Sequence, residues 1–230
     1  MENKNLFEFK SVSRENQVKQ PVWFSGKKNG SPRIMFIGNS VTLHGPLASI
    51  GWHGNWGMAA SDIKKDYVHI FIHEVVKKYK NAEFCIVQAS SWERNYKDYD
   101  YDINFSVAKH FNPDIIICSI SANIHEEEFE KDAFKINLKK LHRYFSCEST
   151  KIIESSAIFG SAKKNEAISE YVDENDNVYL AYVTDILQDE SNRAIGLFEH
   201  KGIQGHPGDK GMMLIAERFL EKFFLIMKND

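Results

Sequence analysis

The stretch "PRIMFIGNSVTLHG", residues 32–45, decides how the chain is read. Its apolar run from Ile34 to Ile37 has the length of a buried strand, and it ends on Gly38 and Asn39 with a hydroxyl, Ser40, directly behind them. Two readings compete. Gly, Asn and Ser all form turns, so a plain turn accounts for the residues. A hydroxyl at the carboxyl end of a first parallel strand, however, sits where open α/β sheets place their ligands.

Working outward from this strand, "EFCIVQ" (83–88), "DIIICSI" (114–120), "KIIES" (151–155) and "NVYLAYV" (177–183) read as further strands. The unbroken apolar run of the second of these suits a central parallel strand buried on both faces. Helical spacing of apolar residues predicts helices over about 61–79, with Ser61 as N-cap, over 126–145, around "NEAISEYV", and from "HPGDKG" to about Met227. This alternation implies one three-layer α/β/α sandwich with a mainly parallel, five-stranded sheet. Residues 1–32, polar and closed by "SGKKNGSP", are expected to form an irregular extension before a single domain at 33–230.

Bulk properties exclude several classes. A formal charge of -3 and a pI near 6.3 leave no footprint for nucleic acid or an anionic membrane surface. The three cysteines, Cys85, Cys118 and Cys147, are scattered and match neither a zinc spacing nor a disulfide framework. The N-terminus lacks the apolar core of a signal peptide, and "FFLIM" is too short to span a bilayer, so a cytoplasmic location is expected. "IHEVVKKY" has no second histidine at a zincin spacing, so neither metal nor cofactor is expected. The spaced glycines of a nucleotide-binding turn are missing from "GNSVTLHG". The apolar last helix packs either internally or against a second copy as a homodimer.

In a parallel sheet the carboxyl ends of the strands meet at one edge. Reading those ends gives Ser40, then Ser90 and Ser91, then Asn123, with His206 in the loop before the last helix. A hydroxyl, backbone N–H groups, a side-chain amide and an imidazole are the parts of an acyl-transfer site. Here the sequence resembles the SGNH (GDSL-type) hydrolases over residues 33–228, on "IMFIGNS", "PDIIICSISAN" and "GHPGDKGM". The tail "IGWHGNWGMAAS" with "SSWERN" is similar to a GNS-type bacterial branch of that family. The resemblance implies the flavodoxin-like fold of the family, Ser40 as nucleophile and first oxyanion N–H donor, His206 as base and Asn123 as side-chain oxyanion donor. It further implies the backbone N–H of Ser90 as a second donor, at a position where the family carries glycine.

The sequence departs from the family at three further points. Asn39 replaces the usual aspartate, Ser121 stands where glycine is common, and Ile203 occupies the place of the aspartate that orients the histidine. Losing that acid costs a serine protease about 10⁴-fold, so a substitute acceptor is expected at the other ring nitrogen of His206: a backbone carbonyl, Glu199 or Glu93. Asp209 suits the first turn of the last helix better than the role of missing acid. Trp52, Trp56 and Trp92, near strand ends, either pack or stack on sugar rings, and His44 is a loop residue or a substrate contact. The expected activity is a serine esterase that removes a small acyl group, acetyl first, from a glycan or other small hydroxyl-bearing molecule. The alternatives are an O-acyltransferase and a non-catalytic carbohydrate-binding protein on the same fold.

Overall fold

The computed structural model describes residues 10–11 and 22–229. Its strands are β1 (Lys10–Ser11), β2 (Val22–Gly26), β3 (Arg33–Gly38), β4 (Glu83–Gln88), β5 (Ile115–Ser119), β6 (Lys151–Ser155) and β7 (Val178–Ala181). They form one sheet in the order β1-β2-β4-β3-β5-β6-β7. The strands from β3 to β7 are mutually parallel, whereas β1 and β2 run antiparallel beside β4. The parallel part has the doubly wound order of flavodoxin-like sheets, which reverses beside β3.

The sheet therefore has seven strands, not the expected five, and both additions come from the segment expected to be irregular. Val22 and Trp23 are buried although a Gly/Lys loop follows them. A short strand at the antiparallel edge, bounded by proline and glycine, leaves little alternation to read. Residues 1–9 and 12–21 of the expected extension lie outside the described residues.

The helices are α1 (Tyr67–Lys78), α2 (Ser90–Asn95), α3 (Tyr101–Phe105), α4 (Lys131–Phe145), α5 (Ala162–Asp173), α6 (Lys201–Gln204) and α7 (Asp209–Asn229). Side chains alternate across a strand, so β3 divides its residues between two cores. Ile34 and Phe36 pack with Phe71 of α1 and Phe219 and Phe223 of α7. Met35 and Ile37 pack with Trp92, with Phe134 and Leu138 of α4, and with Ile168 of α5. The apolar stripe of α7 is thus spent largely on its own sheet.

Two helix starts differ from expectation. Asp66, not Ser61, caps α1, accepting the His69 N–H at 2.7 Å. Ser61 instead donates through its N–H and hydroxyl to the Asp209 carboxylate. The acidic run 126–130 stays outside α4, which begins at Lys131. Among the described residues no helix is long and apolar enough to cross a membrane.

Candidate active site

Both readings of the opening stretch hold at once. Asn39 Oδ1 accepts the Val41 N–H at 3.1 Å, and its carbonyl accepts the N–H groups of Thr42 and Leu43. These bonds wind a tight turn directly behind β3. Gly38 is required there, because a Cβ would lie 1.8 Å from Thr42 Oγ1. The turn lifts Ser40 to the carboxyl edge of the sheet, where its Oγ lies 2.8 Å from His206 Nε2. That distance is within proton-transfer reach.

The other ring nitrogen, His206 Nδ1, lies 2.8 Å from the carbonyl of Gly202 in α6. A carbonyl can only accept, so Nδ1 carries the hydrogen and Nε2 is left to accept the Ser40 hydroxyl. The expected substitute acceptor is therefore a backbone oxygen. Neither Glu199 nor Glu93 fills that place: Glu199 is exposed and Glu93 is bound elsewhere. Ile203 is fully buried in a small apolar cluster with Trp52, Met58, Ala59 and Ala194. An aspartate at this position would have to lose its hydration among apolar neighbours. Burial pushes the His206 imidazole below its ordinary pKa, although the Gly202 bond opposes the shift.

Glu93 serves a different purpose. Its carboxylate, 1% exposed, accepts from Asn39 Nδ2 at 3.0 Å and from Asn123 Nδ2. The backbone N–H groups of Asn123 and Ser121 point at it as well. Burial raises its pKa and these four donors pull it back, leaving a net upward shift. One acid thus ties the turn that carries Ser40 to the amide of Asn123. Asn39 suits this arrangement, because the family's aspartate would set one carboxylate against another. Ser121 has φ 101°, backbone that favours glycine, which explains the glycine common at this position.

Ser90 opens α2 and has no positive φ, so a serine sits there without strain although the resembled family carries glycine. Its N–H, the implied second oxyanion donor, is however engaged by Gln88 Oε1 at 2.9 Å. Gln88 must release it before it can serve an oxyanion. The sequence carried no signal for this contact beyond the polar end of β4.

Ser40, His206, Asn123, Ser90 and His44 line one cleft of 380 Å³, with Leu43, Ile50 and Met58 as its apolar part. Arg94 and Gln88, neither anticipated, line it too. Phe159, half-exposed, stands edge-on to the His206 ring at 5.5 Å. The tryptophans take the packing role. Trp52 and Trp92 are buried, and the indole N–H groups of Trp52, Trp56 and Trp92 bond to His44 O, Ala60 O and Tyr101 Oη. None of the three lines the cleft. A larger hollow of 850 Å³ lies at the amino ends of β3 and β4, far from the serine and the histidine. Away from both, Cys118, His142 and Glu154 bring donor atoms within 4.8 Å of one another, a grouping able to hold a metal ion. A search for ligands along one helix misses it, because the donors come from β5, α4 and β6.

No protein-family model matches the sequence, and comparison with curated proteins finds no match either. Solved structures do match. A family two carbohydrate esterase from Clostridium thermocellum, in complex with cellohexaose, superposes with a TM-score of 0.56 at 15% identity. A two-domain esterase active on acetylated mannans gives 0.54 at 17%. The chain shares its fold with these esterases. It is covered to 86% and 85% in the two comparisons, yet spans only 65% and 49% of their own lengths. A protein described as a GDSL-like lipase from Parabacteroides merdae is matched over 96% of its length, with a TM-score of 0.50 and 14% identity.

Proposed function

We propose that the protein is a serine esterase that removes a small acyl group, acetyl first, from a carbohydrate or related hydroxyl-bearing substrate. The observation that carries this reading is the 2.8 Å approach of Ser40 Oγ to His206 Nε2, with the tautomer set by Gly202. The likeness in fold to carbohydrate esterases supports it.

In the first half-reaction Ser40 Oγ attacks the ester carbonyl as its proton passes to His206 Nε2. The tetrahedral oxyanion takes the free Asn123 Nδ2 hydrogen, and the Ser90 N–H once Gln88 turns away. Collapse breaks the ester C–O bond, and His206 returns the proton to the leaving alcohol. Water then repeats the sequence on the acyl-serine, releasing the acid and restoring Ser40. A lowered imidazole pKa keeps the base neutral and competent on the acid side of the ordinary histidine range.

A pre-steady-state burst with an aryl acetate, lost in Ser40→Ala, is the expected result. A folded protein that turns over no short-chain ester and resists a fluorophosphonate would sink the reading. That outcome would favour the binding-protein alternative, to which the engaged Ser90 N–H gives some support.

A further inference from the structure

We infer that the cleft holds an anion subsite built on Arg94, so that the substrate carries a carboxylate next to its scissile ester; this rests on the esterase reading above. Arg94 is the one lysine or arginine among the residues lining the cleft, and no aspartate or glutamate lines it. Its guanidinium spends two N–H groups on neutral oxygens, Asn123 Oδ1 at 3.2 Å and the Ser90 carbonyl at 3.5 Å. Among the described residues no carboxylate forms an ion pair with it.

A guanidinium carries five N–H donors in a fixed fork. The two contacts hold the group in place and leave donors for a ligand that accepts at two points. A carboxylate matches that fork better than a hydroxyl does. Asn123 offers its Oδ1 to Arg94 and one Nδ2 hydrogen to Glu93; with the second Nδ2 hydrogen given to the oxyanion, the anion would sit one amide away from the reacting carbonyl. The chain's net charge of -3 works against anions in general, so a preference for them must come from a local group. Neighbouring Glu93 does not line the cleft, and its carboxylate is taken up by the amides of Asn39 and Asn123, not by Arg94.

The carboxylate can belong to the alcohol, as in an acetylated uronic acid, or to the acyl group, as in a hemisuccinate. Two matched pairs separate these sources: an O-acetyl galacturonate against its methyl ester, and 4-nitrophenyl hydrogen succinate against 4-nitrophenyl acetate. In one pair the anionic member is expected to show about 10- to 100-fold higher kcat/KM, mostly through KM. Added salt should shrink the ratio, Arg94→Gln should abolish it, and Arg94→Lys should keep part of it. Equal rates within both pairs would overturn the inference. So would an Arg94→Gln variant that slows anionic and neutral esters by one common factor, since the arginine would then act only through Asn123. Binding of galacturonate and its methyl ester to Ser40→Ala reads the alcohol-side subsite without turnover. Anion-selective binding by a protein that hydrolyses nothing would therefore leave the subsite standing and remove the esterase alone.

Discussion

Two glutamates are equally hidden in this molecule and are treated in opposite ways. Glu93 and Glu154 are 1% and 0% exposed, and burial raises the pKa of each. Glu93 meets four donors, two of them side-chain amides that also shape the candidate site. Glu154 faces the His142 ring at 3.1 Å and the Cys118 thiol, and neither of its oxygens accepts a well-aligned hydrogen bond. A buried charge is tolerated by pairing, by hydrogen bonding or by neutralisation. Only hydrogen bonding also fixes the position of the donors. The difference therefore teaches which acid organises the candidate site: Glu93 reaches the cleft through Asn39 and Asn123, whereas Glu154 faces His142 and Cys118 inside the core.

The comparison breaks most visibly at Glu93. Glu93→Ala strands both asparagine amides and is expected to destabilise the fold by about 1–3 kcal/mol for each amide left unpaired. Loss of the aimed Asn123 donor should lower kcat by about 100- to 1000-fold with KM much less affected. Urea unfolding and steady-state kinetics check both. A loss of stability with kcat unchanged in the folded variant would mean that Glu93 merely holds the fold.

Asn39→Asp should be nearly as harmful, because it sets a second carboxylate about 3 Å from the first, where the two cannot both ionise. The reciprocal pair Asn39→Asp with Glu93→Gln restores one charge and one amide. It should recover most of the lost activity, and failure to recover any would separate the two positions energetically.

Glu154→Gln should leave kcat/KM within about twofold and act on stability instead. The folded-state pKa of Glu154 is raised, so its favourable contribution is complete below the ordinary carboxylate value of about 4.3 and is lost as pH rises through the folded value. The stability difference between variant and parent should therefore shift in the variant's favour from pH 4 towards pH 8. A difference flat with pH would mean that the fold does not favour the neutral form of Glu154. The smallest change is expected from Ser121→Gly, which relieves φ 101° and removes a buried hydroxyl with no partner. A gain of about 1 kcal/mol in unfolding free energy is expected.

What the residues could announce depended on whether the working group was a side chain. The parallel strands were legible because continuous apolar runs ended on Ser40, near Asn123 and at Ser90. The antiparallel strand β2 was not, since five residues between a proline and a lysine-glycine loop carry little periodicity. Glu93 was legible as an acid near the site but not as the partner of asparagines, because its donors come from the ends of two other strands. The tryptophans could be read either way, because an aromatic residue in a loop has the same letters whether it faces a sugar or an apolar cluster. The acid in "KIIES" was a signal passed over, since a glutamate inside a buried strand always needs a compensating neighbour.

The Gly202 carbonyl left no letter at all. An imidazole that leans on a main-chain oxygen draws its alignment from the pitch of one helical turn, not from the identity of any residue. No point substitution deletes that oxygen, so the alignment is sheltered from drift in a way that a catalytic carboxylate is not. A search for related proteins that demands an acid three places before the histidine would pass over every chain built on this plan.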